Sequence, residues 1–566
     1  MEKYEVLKTD VLIIGGGGAG IRAAIEADNQ GADVYLLSKG ILARSGLTPL
    51  AYPCLQASLG VSDPRDNPDI HYQDIIREGR GLADQNLARV LADEVSLRVF
   101  DLQKFGIRFE KQDEKFFQAH FPGQTYPRNL LIVGRGFGLI SGLKNELYRH
   151  PKVKIAEDFF VSRVFKDKEE VVGVFGLNLR DGRFYAIEAK SVILACGGYE
   201  ALWENNDTAQ DSTGDGVSLG FQVEADIIDL EMTQYYPGVF AYPESVKGVA
   251  IQYETFLEKK YFDFKLVNNE GNEFLPEGPL PARDVLMRAI FSEIEEGRGT
   301  EHHAVYVDPS RSSRSYEEID ELVNQFLKGP NKYWNKLGID IRKDRIEICP
   351  AVHYTLGGVR INEKTETSVP GLFAAGENSS NTHGANRMGG NSLAETQVFG
   401  ARAGKYASEW AKEKSHGGLP KKAIKEEIQK WNSFMEKKKE PIRVLWLRKE
   451  LKQLMDCYAG PNRNEEGMKK ALEKVFDLKQ NGLPKVQVDG GTIFNVDWHT
   501  AMEVSMTLDL AELIVRSALL RKETRGHHFR SDFLKTLETP KHTFVKKNDE
   551  NISIEYVPVR KIEEQR

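Results

Sequence analysis

Residues 9–20 of the chain read TDVLIIGGGGAG, an apolar run that passes directly into a glycine-rich turn. The run is typical of a buried parallel strand, and the nine residues after the turn have the pattern of a helix. In such a unit Gly15 allows the tight turn, Gly17 lets backbone N–H groups approach a diphosphate, and Gly20 lets the helix pack close to the strand. The sequence therefore predicts a dinucleotide site at this turn.

The second strand of this βαβ unit is predicted at residues 33–37. An acidic residue that binds a ribose is usually expected at the end of such a strand, but Ser38 and Lys39 stand there. We therefore expect ribose recognition to differ from that of the simplest nicotinamide-binding units.

Two later segments, residues 189–198 (AKSVILACGG) and 371–377 (GLFAAGE), each read as a buried strand followed by a turn that contains glycine. Both fit junctions between a strand and a helix beside the bound dinucleotide. Residues 236–348 carry no nucleotide signal, so they are predicted to form a separate inserted domain. From about residue 417 onward the pattern changes to long, charged, amphipathic helices.

The composition is that of a globular protein, with 566 residues, of which 40% are hydrophobic and 28% charged. A net charge of −7, spread along the whole chain, gives no basis for a nucleic-acid partner. No run is long and apolar enough for a membrane helix, and the N-terminus lacks the pattern of a signal peptide. We therefore expect a cytoplasmic protein or a peripheral subunit on the cytoplasmic face of a membrane.

The cysteines lie far apart in the sequence and form no CxxC pair; they are Cys54, Cys196, Cys349 and Cys457. This spacing argues against a disulfide framework, a zinc site or an iron–sulfur cluster built from this chain alone. The sequence therefore predicts no metal site in the chain.

A series of short motifs follows the glycine turn. They are TGDG (213–216), ARD (282–284), HYTLGG (353–358), AGE (375–377), HGANR (383–387), NSLAE (391–395) and RKETRG (521–526). With these motifs in this order, essentially the whole chain resembles the flavoprotein subunit of the succinate dehydrogenase and fumarate reductase family, which also includes L-aspartate oxidase.

The resemblance implies an α/β fold with a Rossmann-like FAD-binding domain, an inserted α+β capping domain over the flavin ring and a C-terminal helical domain. The predicted boundaries are 1–235 and 349–415 for the two parts of the FAD-binding domain, 236–348 for the capping domain, 416–530 for the helical domain and 531–566 for a C-terminal tail.

FAD is the cofactor that the resemblance implies. The predicted FAD-binding residues are Gly15, Gly17, Gly18, Ala19, Gly20, Ser38, Lys39, Ser45, Gly46, Val161, Asp215, Glu377, Ser392 and Leu393. Relatives often attach the flavin covalently to a histidine that follows Arg-Ser, whereas Gly46 follows Arg44 and Ser45 here. FAD is therefore predicted to bind non-covalently, a change that in relatives goes with a lower flavin potential and favours substrate reduction.

Reducing a double bond beside a carboxylate requires a hydride, a proton for the neighbouring carbon and cationic groups that stabilise the enolate-like charge. By resemblance, His353 and Arg387 are the ligands of the substrate carboxylate, and a guanidinium fork suits that group. Arg283 matches the proton donor of the family. A guanidinium is hard to deprotonate, so this role requires a relay that passes the proton to it.

The predicted far end of the substrate site departs from the family. Relatives carry a carboxylate-binding histidine where Tyr236 stands, and their next motif is replaced by YETFLEKK (253–260). A neutral phenol donates one hydrogen bond but supplies no charge. Either Lys259 or Lys260 restores a cation at this end, or the substrate differs there.

The predicted function is hydride transfer between FAD and an α,β-unsaturated mono- or dicarboxylate, with electrons exchanged with an iron–sulfur protein subunit. One alternative is oxidation of an amine as in L-aspartate oxidase, which the run RDVLMRAI (283–290) and non-covalent FAD favour. The other is an electron-transfer subunit with an altered substrate site, which the change at Tyr236 favours.

Overall fold

The structure is a computed structural model that describes residues 3–548 and 551–562. Its strands are β1 (Tyr4–Ile14), β2 (Val34–Leu37), β3 (Cys54–Gln56), β4 (Lys111–Gln112), β5 (Lys115–Phe116), β6 (Gln118–Ala119), β7 (Asn129–Leu131), β8 (Lys154–Ala156), β9 (Phe159–Asp167), β10 (Glu170–Asn178), β11 (Arg183–Leu194), β12 (Ile227–Ile228), β13 (Thr233–Phe240), β14 (Lys265–Val267), β15 (Val305–Asp308), β16 (Ile346–Thr355), β17 (Gly358–Val359), β18 (Leu372–Ala374), β19 (Asn462–Arg463), β20 (Phe529–Arg530), β21 (Lys541–Asn548) and β22 (Asn551–Pro558).

The α-helices alternate with these strands in the first part of the chain and dominate the last third. They are α1 (Gly18–Asn29), α2 (Pro68–Glu78), α3 (Gln85–Lys104), α4 (Arg135–Leu147), α5 (Asp215–Gln222), α6 (Tyr253–Leu257), α7 (Arg283–Glu293), α8 (Tyr316–Leu322), α9 (Lys328–Lys336), α10 (Asn391–Lys412), α11 (Lys421–Ser433), α12 (Val444–Ala459), α13 (Glu465–Asp477) and α14 (Val496–Leu520).

A mainly parallel sheet forms the centre of the molecule, with the order β8-β2-β1-β11-β10-β9 and β18 paired to β11. β1 runs parallel to both β2 and β11, and β18 runs parallel to β11. The last residues of β1, from Val11 onward, are buried, which explains the unbroken apolar sequence there. The predicted βαβ unit and both later strands are therefore present in this sheet.

Two helices approach each other closely over this sheet because glycines leave room for backbone contact. A Cβ on Gly400 of α10 would lie 2.7 Å from the carbonyl oxygen of Ala19 in α1. A Cβ on Gly404 would overlap the carbonyl oxygen of Ala23. The contact brings the N-terminal ends of α1 and α10 to the same end of the sheet. The predicted cofactor residues of both helices are thus brought together.

A second antiparallel sheet, β14-β15-β16-β13, has its own hydrophobic core. Its long strands also enter the central core, since Tyr235 and Val352 belong to that core while the neighbouring Tyr236 and Ala351 belong to the second one. β13 and β16 therefore join the two cores. The boundaries 236–348 predicted for the inserted domain stay a prediction.

From Lys421 onward, the described part of the chain packs helices α11 to α14 and a hairpin against the rest of the molecule. α14 is almost entirely buried, and β21 of the terminal hairpin pairs with β12 in a sheet of order β17-β12-β21-β22. Part of the predicted tail 531–566 is thus a structured hairpin, while residues 549–550 and 563–566 lie outside the described residues. Among the described residues, none of the helices is both long and apolar enough to cross a membrane.

Candidate active site

A cavity of about 670 Å³ opens at the carboxyl ends of the central parallel strands. It extends from the glycine turn after β1 to Arg283, His353 and Arg387. In open α/β sheets, ligands bind at this edge, where the loops after the strands meet. The fold therefore brings the predicted cofactor residues and the predicted substrate residues to one cavity.

The glycine turn presents the N-terminus of α1 to this cavity. Gly17 is the N-cap residue and has no side chain that could cap the helix, while the N–H of Gly18 donates to Thr48 Oγ1 at 3.0 Å. A Cβ on Gly17 would meet no atom closer than 3.7 Å, so the backbone is open toward the cavity. Such a terminus binds an anion through its free N–H groups, and it fits the diphosphate of FAD.

All but one of the predicted FAD-binding residues line the cavity. The exception is Gly20, whose Cβ would overlap the carbonyl oxygen of Gly15. Gly20 therefore serves the packing of α1 on β1 and lies outside the lining of this cavity, and its place among the FAD-binding residues stays a prediction. The lining also includes residues that the sequence did not single out, among them Thr48, Phe160 and Asp211.

Lys39 links the end of β2 to two carboxylates. Its Nζ lies 2.6 Å from Asp215 and 3.1 Å from Glu503, and it donates to Thr213 Oγ1 at 2.7 Å. Burial opposes the charged ammonium, but the two carboxylates outweigh it and raise the pKa of Lys39. A carboxylate, that of Asp215 at the start of α5, thus lies beside Lys39 at the end of β2.

Arg387 lies in the loop before α10 and is only 3% exposed. Its guanidinium carbon sits 4.2 Å from the ring centroid of Tyr354, and Nη1 donates to the Met388 carbonyl at 3.1 Å. Its Nε has no hydrogen-bond partner among the residues that the structure describes. Burial, reinforced by the charge of Arg283, lowers the pKa of Arg387 to about 10. The site thus holds a desolvated cation with spare donors, which suits an anionic ligand.

Tyr354 in turn is held by a buried carboxylate. Its hydroxyl donates to Glu395 at 2.5 Å, and His383 Nε2 lies 3.1 Å from the same oxygen. The ring beneath Arg387 is therefore fixed by a chain of buried contacts that reaches into α10. Sequence reasoning did not find this support, although Tyr354, His383 and Glu395 all lie within the motifs.

His353, near the end of β16, is oriented by Asp207. Its Nδ1 lies 2.9 Å from an oxygen of Asp207, and both residues line the cavity. Burial lowers the pKa of His353, against the opposing effect of Asp207, so the neutral ring donates its Nδ1–H to the carboxylate. No pattern in the sequence pointed to Asp207, because it lies in an irregular loop.

Arg283 is the first residue of α7 and faces a carboxylate and two tyrosines. Its Nη2 donates to Glu254 at 3.1 Å, Nε donates to the Tyr253 hydroxyl at 3.3 Å, and the guanidinium lies 5.1 Å from the ring centroid of Tyr236. Burial opposes the charge, but Tyr253 and Glu254 outweigh it and raise the pKa of Arg283. Glu254 is thus in direct contact with the predicted proton donor.

Tyr236 cannot replace a cationic ligand. Its hydroxyl is within reach of the Ile251 carbonyl at 2.8 Å and of Glu254 at 3.1 Å, and burial, followed by the charge of Glu254, raises its pKa well above the usual value. Its ring stacks on Tyr52 at 5.8 Å and meets the edge of Tyr253 at 5.1 Å. The wall beside Arg283 is therefore aromatic.

Neither of the two lysines predicted to supply a cation at the far end of the substrate site lines the cavity. Lys259 and Lys260 lie outside its lining, and the Lys260 ammonium donates to the His120 carbonyl at 3.4 Å. Lys247 does line the cavity, but it is mostly exposed and pairs with Glu244 at 3.1 Å. The first of the two sequence-based explanations for this end of the site is therefore not supported by the geometry.

Two family models match the chain. One, described as an FAD binding domain, matches residues 10–393, and the other, described as the fumarate reductase flavoprotein C-terminal region, matches residues 448–564.

Among curated proteins, the chain is 36% identical over 541 residues to one of the subunits of fumarate reductase (CoM/CoB) from Methanothermobacter marburgensis, covering 94% of this chain and 96% of that one. It is 29% identical to the succinate dehydrogenase flavoprotein subunit of Rickettsia bellii, covering 94% of this chain and 92% of that one.

Among solved structures, Mycobacterium smegmatis Sdh1 in complex with UQ1 matches with a TM-score of 0.89 at 30% identity, over 99% of this chain and 95% of that one. A variant of Escherichia coli quinol fumarate reductase FrdA matches with a TM-score of 0.87 at 27% identity, over 99% and 98% of the two chains. Adenylylsulfate reductase from Archaeoglobus fulgidus, at 22% identity and a TM-score of 0.78 over 99% and 97%, shares the fold.

Proposed function

The chain belongs to the FAD-binding family of fumarate reductase and succinate dehydrogenase flavoproteins, and on that premise we propose that it reduces the double bond of an α,β-unsaturated carboxylate. The predicted family, the α/β fold, the FAD cofactor and the class of FAD-dependent oxidoreductase are confirmed. The substrate, the direction of the reaction and the partner belong to the proposal.

The observation that carries the proposal is the convergence of Arg283, His353 and Arg387 on one cavity with the predicted FAD residues. Two guanidinium groups and an imidazole around one space form a site for a carboxylate and for the charge that develops on it. When bound, FAD supplies the hydride, which no side chain of the chain can supply.

Each of the three side chains has a role that follows from its contacts. Arg387, with donors left over and a ring beneath it, binds and orients the carboxylate. His353, held by Asp207, adds a second contact and becomes a donor at Nε2 when it takes up a proton beside the anion. Arg283 donates the proton to the substrate carbon, and the adjacent Glu254 stabilises it as a cation before the step.

The predicted non-covalent attachment of FAD is part of the proposal. Among the described residues that line the cavity, His353 is the one histidine, and Gly46 stands where relatives carry the histidine of attachment. Glycine has no side chain that could form a histidyl bond to the flavin at that position, so we expect acid precipitation to release the flavin quantitatively.

We further propose that the far end of the substrate meets an aromatic wall. Tyr52, Tyr236 and Tyr253 pack against one another beside Arg283, and Glu254 adds a negative charge. A second carboxylate would be repelled there, so the site favours a neutral far end. Comparing crotonate with fumarate as oxidants of the reduced flavin tests this point.

An iron–sulfur protein is the proposed electron partner. The relatives are named as subunits of fumarate reductase and succinate dehydrogenase, and the resemblance implies an iron–sulfur subunit beside the flavoprotein. Purification of the complex from native cells, with identification of the associated chains, tests the partner.

The experiment that tests the proposed activity reduces the flavin of the purified protein without oxygen and then adds an unsaturated acid. Return of the oxidised flavin spectrum with fumarate or crotonate supports the proposal, and Arg387→Gln should slow this return by about 100-fold or more, since a donor to developing negative charge is lost. Hydrogen peroxide formed from L-aspartate would instead support amine oxidation. A wild-type flavin that no unsaturated acid reoxidises would contradict the proposal.

A further inference from the structure

A second, much smaller cavity touches Arg283 and Glu254. Its volume is about 10 Å³, and its lining includes Glu78, Ala282 and Arg387 as well. A space of this size holds about one water molecule when polar partners surround it. The cavity therefore joins the predicted proton donor to a further ionisable group, Glu78, which does not line the main cavity.

The groups around this cavity need a polar occupant. Arg283 Nη2 donates to Glu254, but Nη1 is buried and has no hydrogen-bond partner within residues 3–548 and 551–562. A buried donor without a partner is costly, and an ordered water relieves that cost. The neighbouring carboxylates of Glu254 and Glu78 can accept hydrogen bonds from the same water.

Glu78 is the last residue of α2 and lies where the interior meets solvent. It is 7% exposed, its Oε1 lies 3.4 Å from Arg77 Nε, and Arg77 is half exposed. Its Oε2 accepts from Asn386 at 3.3 Å and lies 3.8 Å from Arg80. Glu78 can thus exchange a proton with solvent on the side of Arg77.

The surroundings of Glu78 have opposing effects on the pKa of its carboxyl group. Burial raises its pKa, and the nearby Asp284 acts in the same direction, while the charges of Arg80 and Arg77 lower it. The net effect is a raised pKa, so this carboxyl keeps its proton to a higher pH than an exposed glutamate. A carboxyl that keeps its proton to a higher pH is better suited to pass that proton on than an exposed glutamate is.

The other contact of Glu254 is a poorer route. Its Oε2 accepts from the Tyr236 hydroxyl, but that hydroxyl is closer to the Ile251 carbonyl, which has no proton to pass on. Burial and the charge of Glu254 also raise the pKa of this phenol far above neutrality. A relay through Tyr236 would therefore have to form a phenolate that the site disfavours.

We propose that Glu78 and one water in the small cavity carry protons from solvent to Glu254 and Arg283. The inference rests on the proposed function. In each turnover, one substrate carbon accepts a hydride, which brings both electrons, and its neighbour accepts a proton from Arg283. Arg283 regains a proton through Glu254, Glu254 takes one from the water, the water takes one from Glu78, and Glu78 is reprotonated from solvent. This relay therefore delivers one proton per double bond reduced, and the second hydrogen arrives as the hydride.

The test follows the reoxidation of the photoreduced flavin by fumarate in a stopped-flow instrument, from pH 6 to pH 9. Glu78→Gln should slow reoxidation at least 10-fold without changing the fumarate concentration that gives half the maximal rate. Glu78→Asp keeps a carboxyl group, so its rate of reoxidation should fall by a smaller factor. Burial raises the pKa of Glu78, so the wild-type rate should fall as the pH rises through the titration of Glu78, above the range of exposed glutamates, whereas Glu78→Gln should lack this dependence. Asp69→Asn, an exposed acid at the start of the same helix, is the control and should match the wild type.

Two further measurements keep the inference falsifiable if Glu78→Gln binds no flavin. Ala282→Val fills the small cavity without removing a carboxyl and should slow reoxidation as well. Infrared spectra of the flavin-free wild type should contain a protonated carboxyl band that titrates above the range of exposed glutamates and is missing in Glu78→Asp at that frequency.

The outcomes separate the two proposals. A wild-type flavin that neither crotonate nor fumarate reoxidises removes the proposed activity, and the relay with it. A wild-type protein that reacts while Glu78→Gln and Ala282→Val react equally fast overturns the relay alone. A loss of rate confined to Tyr52→Phe would assign the route to the stacked tyrosines and would also overturn it.

Discussion

At the scale of single residues, Arg387 is supported by an aromatic ring and a carbonyl, and no carboxylate within the described part of the chain forms an ion pair with it. A desolvated guanidinium over a tyrosine ring gains about 2 kcal/mol, so the ring matters more than its hydroxyl. We therefore expect Tyr354→Leu to raise the fumarate KM by about 30-fold, since about 1.4 kcal/mol corresponds to a factor of 10. Steady-state reduction of fumarate with an artificial electron donor provides the measurement.

Tyr354→Phe is the matched variant, because it keeps the ring and removes only the bond to Glu395. We expect its KM to change by less than about 10-fold, since Glu395 retains His383 as a partner. Equal effects of the two substitutions would show that the hydroxyl, and not the ring, holds Arg387.

The sequence could predict Arg283, His353 and Arg387 because each lies in a motif whose residue order is specific. It could not predict their partners, since Asp207 contacts His353 across 146 positions of the chain. Contacts of this kind depend on how loops fold over the sheet, and no local pattern encodes them. The same reason explains why sequence proximity pointed to Lys259 and Lys260, which the fold leaves outside the cavity.

At the scale of elements, two glycines of one turn have different roles, in FAD binding and in helix packing, and experiment can separate these roles. A Cβ on Gly20 would overlap the Gly15 carbonyl, whereas a Cβ on Gly17 would lie 3.7 Å from its nearest neighbour, and Gly17 has a φ of −83° that alanine also adopts. We expect Gly20→Ala to lower the thermal midpoint of the flavin-free protein strongly. Gly17→Ala should leave that midpoint nearly unchanged and weaken FAD binding, which fluorescence titration with FAD measures.

The pair is informative because each variant is the control of the other. If Gly17→Ala bound FAD as tightly as the wild type, the diphosphate would not approach the backbone at this position. If Gly20→Ala retained its midpoint, the close packing of α1 on β1 would not be essential to the fold.

The sequence predicted the βαβ unit well because the strand and helix periods are strong there. It did not predict the hairpin of β21 and β22, although the alternation of half-buried and exposed residues in β22 has the period of a strand. What the local pattern does not encode is the pairing of β21 with β12, which lies more than 300 residues earlier and joins the hairpin to a larger sheet.

A buried network of ion pairs connects the end of α14 to the residues after β12, so the RKETRG motif has a structural role. Arg521 is 0% exposed and contacts Asp229 at 3.0 Å, Glu231 at 2.5 Å and Glu523 at 2.9 Å. Removing the cation breaks the ion pair of the buried Glu231, while Asp229 keeps His542 and Glu523 keeps Arg525. Breaking a buried pair by removing one partner costs about 3–5 kcal/mol. We expect Arg521→Met to lower the thermal midpoint markedly.

Lys522→Ala is the control for this change, because the neighbouring lysine is 56% exposed and reaches Glu465 only at 3.7 Å. Exposed pairs of this kind contribute about 0–1 kcal/mol. Midpoints from differential scanning calorimetry should therefore separate the two variants, and similar shifts would contradict a structural role for the network.

At the scale of the whole molecule, the site lies where two cores meet, and strands β13 and β16 run through both. Such an arrangement places residues of the inserted sheet within reach of the central sheet without a flexible connection. The sequence could predict the two regions from the loss and return of nucleotide signals. It could not predict that the strands themselves cross the boundary, since both cores select the same apolar residue types.

The same junction makes stability depend on pH through His527. This residue is 0% exposed, its Nδ1 accepts from the Tyr235 N–H at 3.3 Å, and its Nε2 lies 3.1 Å from Asn386 Oδ1. Burial, with the charges of three nearby arginines, lowers its pKa to about 3, although Asp284 opposes this. Because the unfolded chain takes up a proton near about pH 6.5 and the folded chain does not, stability is complete above about pH 6.5 and declines by on the order of 1 kcal/mol per pH unit as the pH falls toward about 3.

His527→Gln isolates this effect, since an amide can accept and donate at similar positions but does not titrate. We expect the variant to have a lower thermal midpoint than the wild type at pH 7.5, because its hydrogen bonds are less well placed, and the difference should shrink and then reverse between about pH 6 and pH 4.5. Other buried groups titrate equally in both proteins, so the difference between the two midpoints reports on His527 alone. A difference that stays constant over this range would mean that His527 is protonated in the folded protein, or that it is free to titrate as in the unfolded chain.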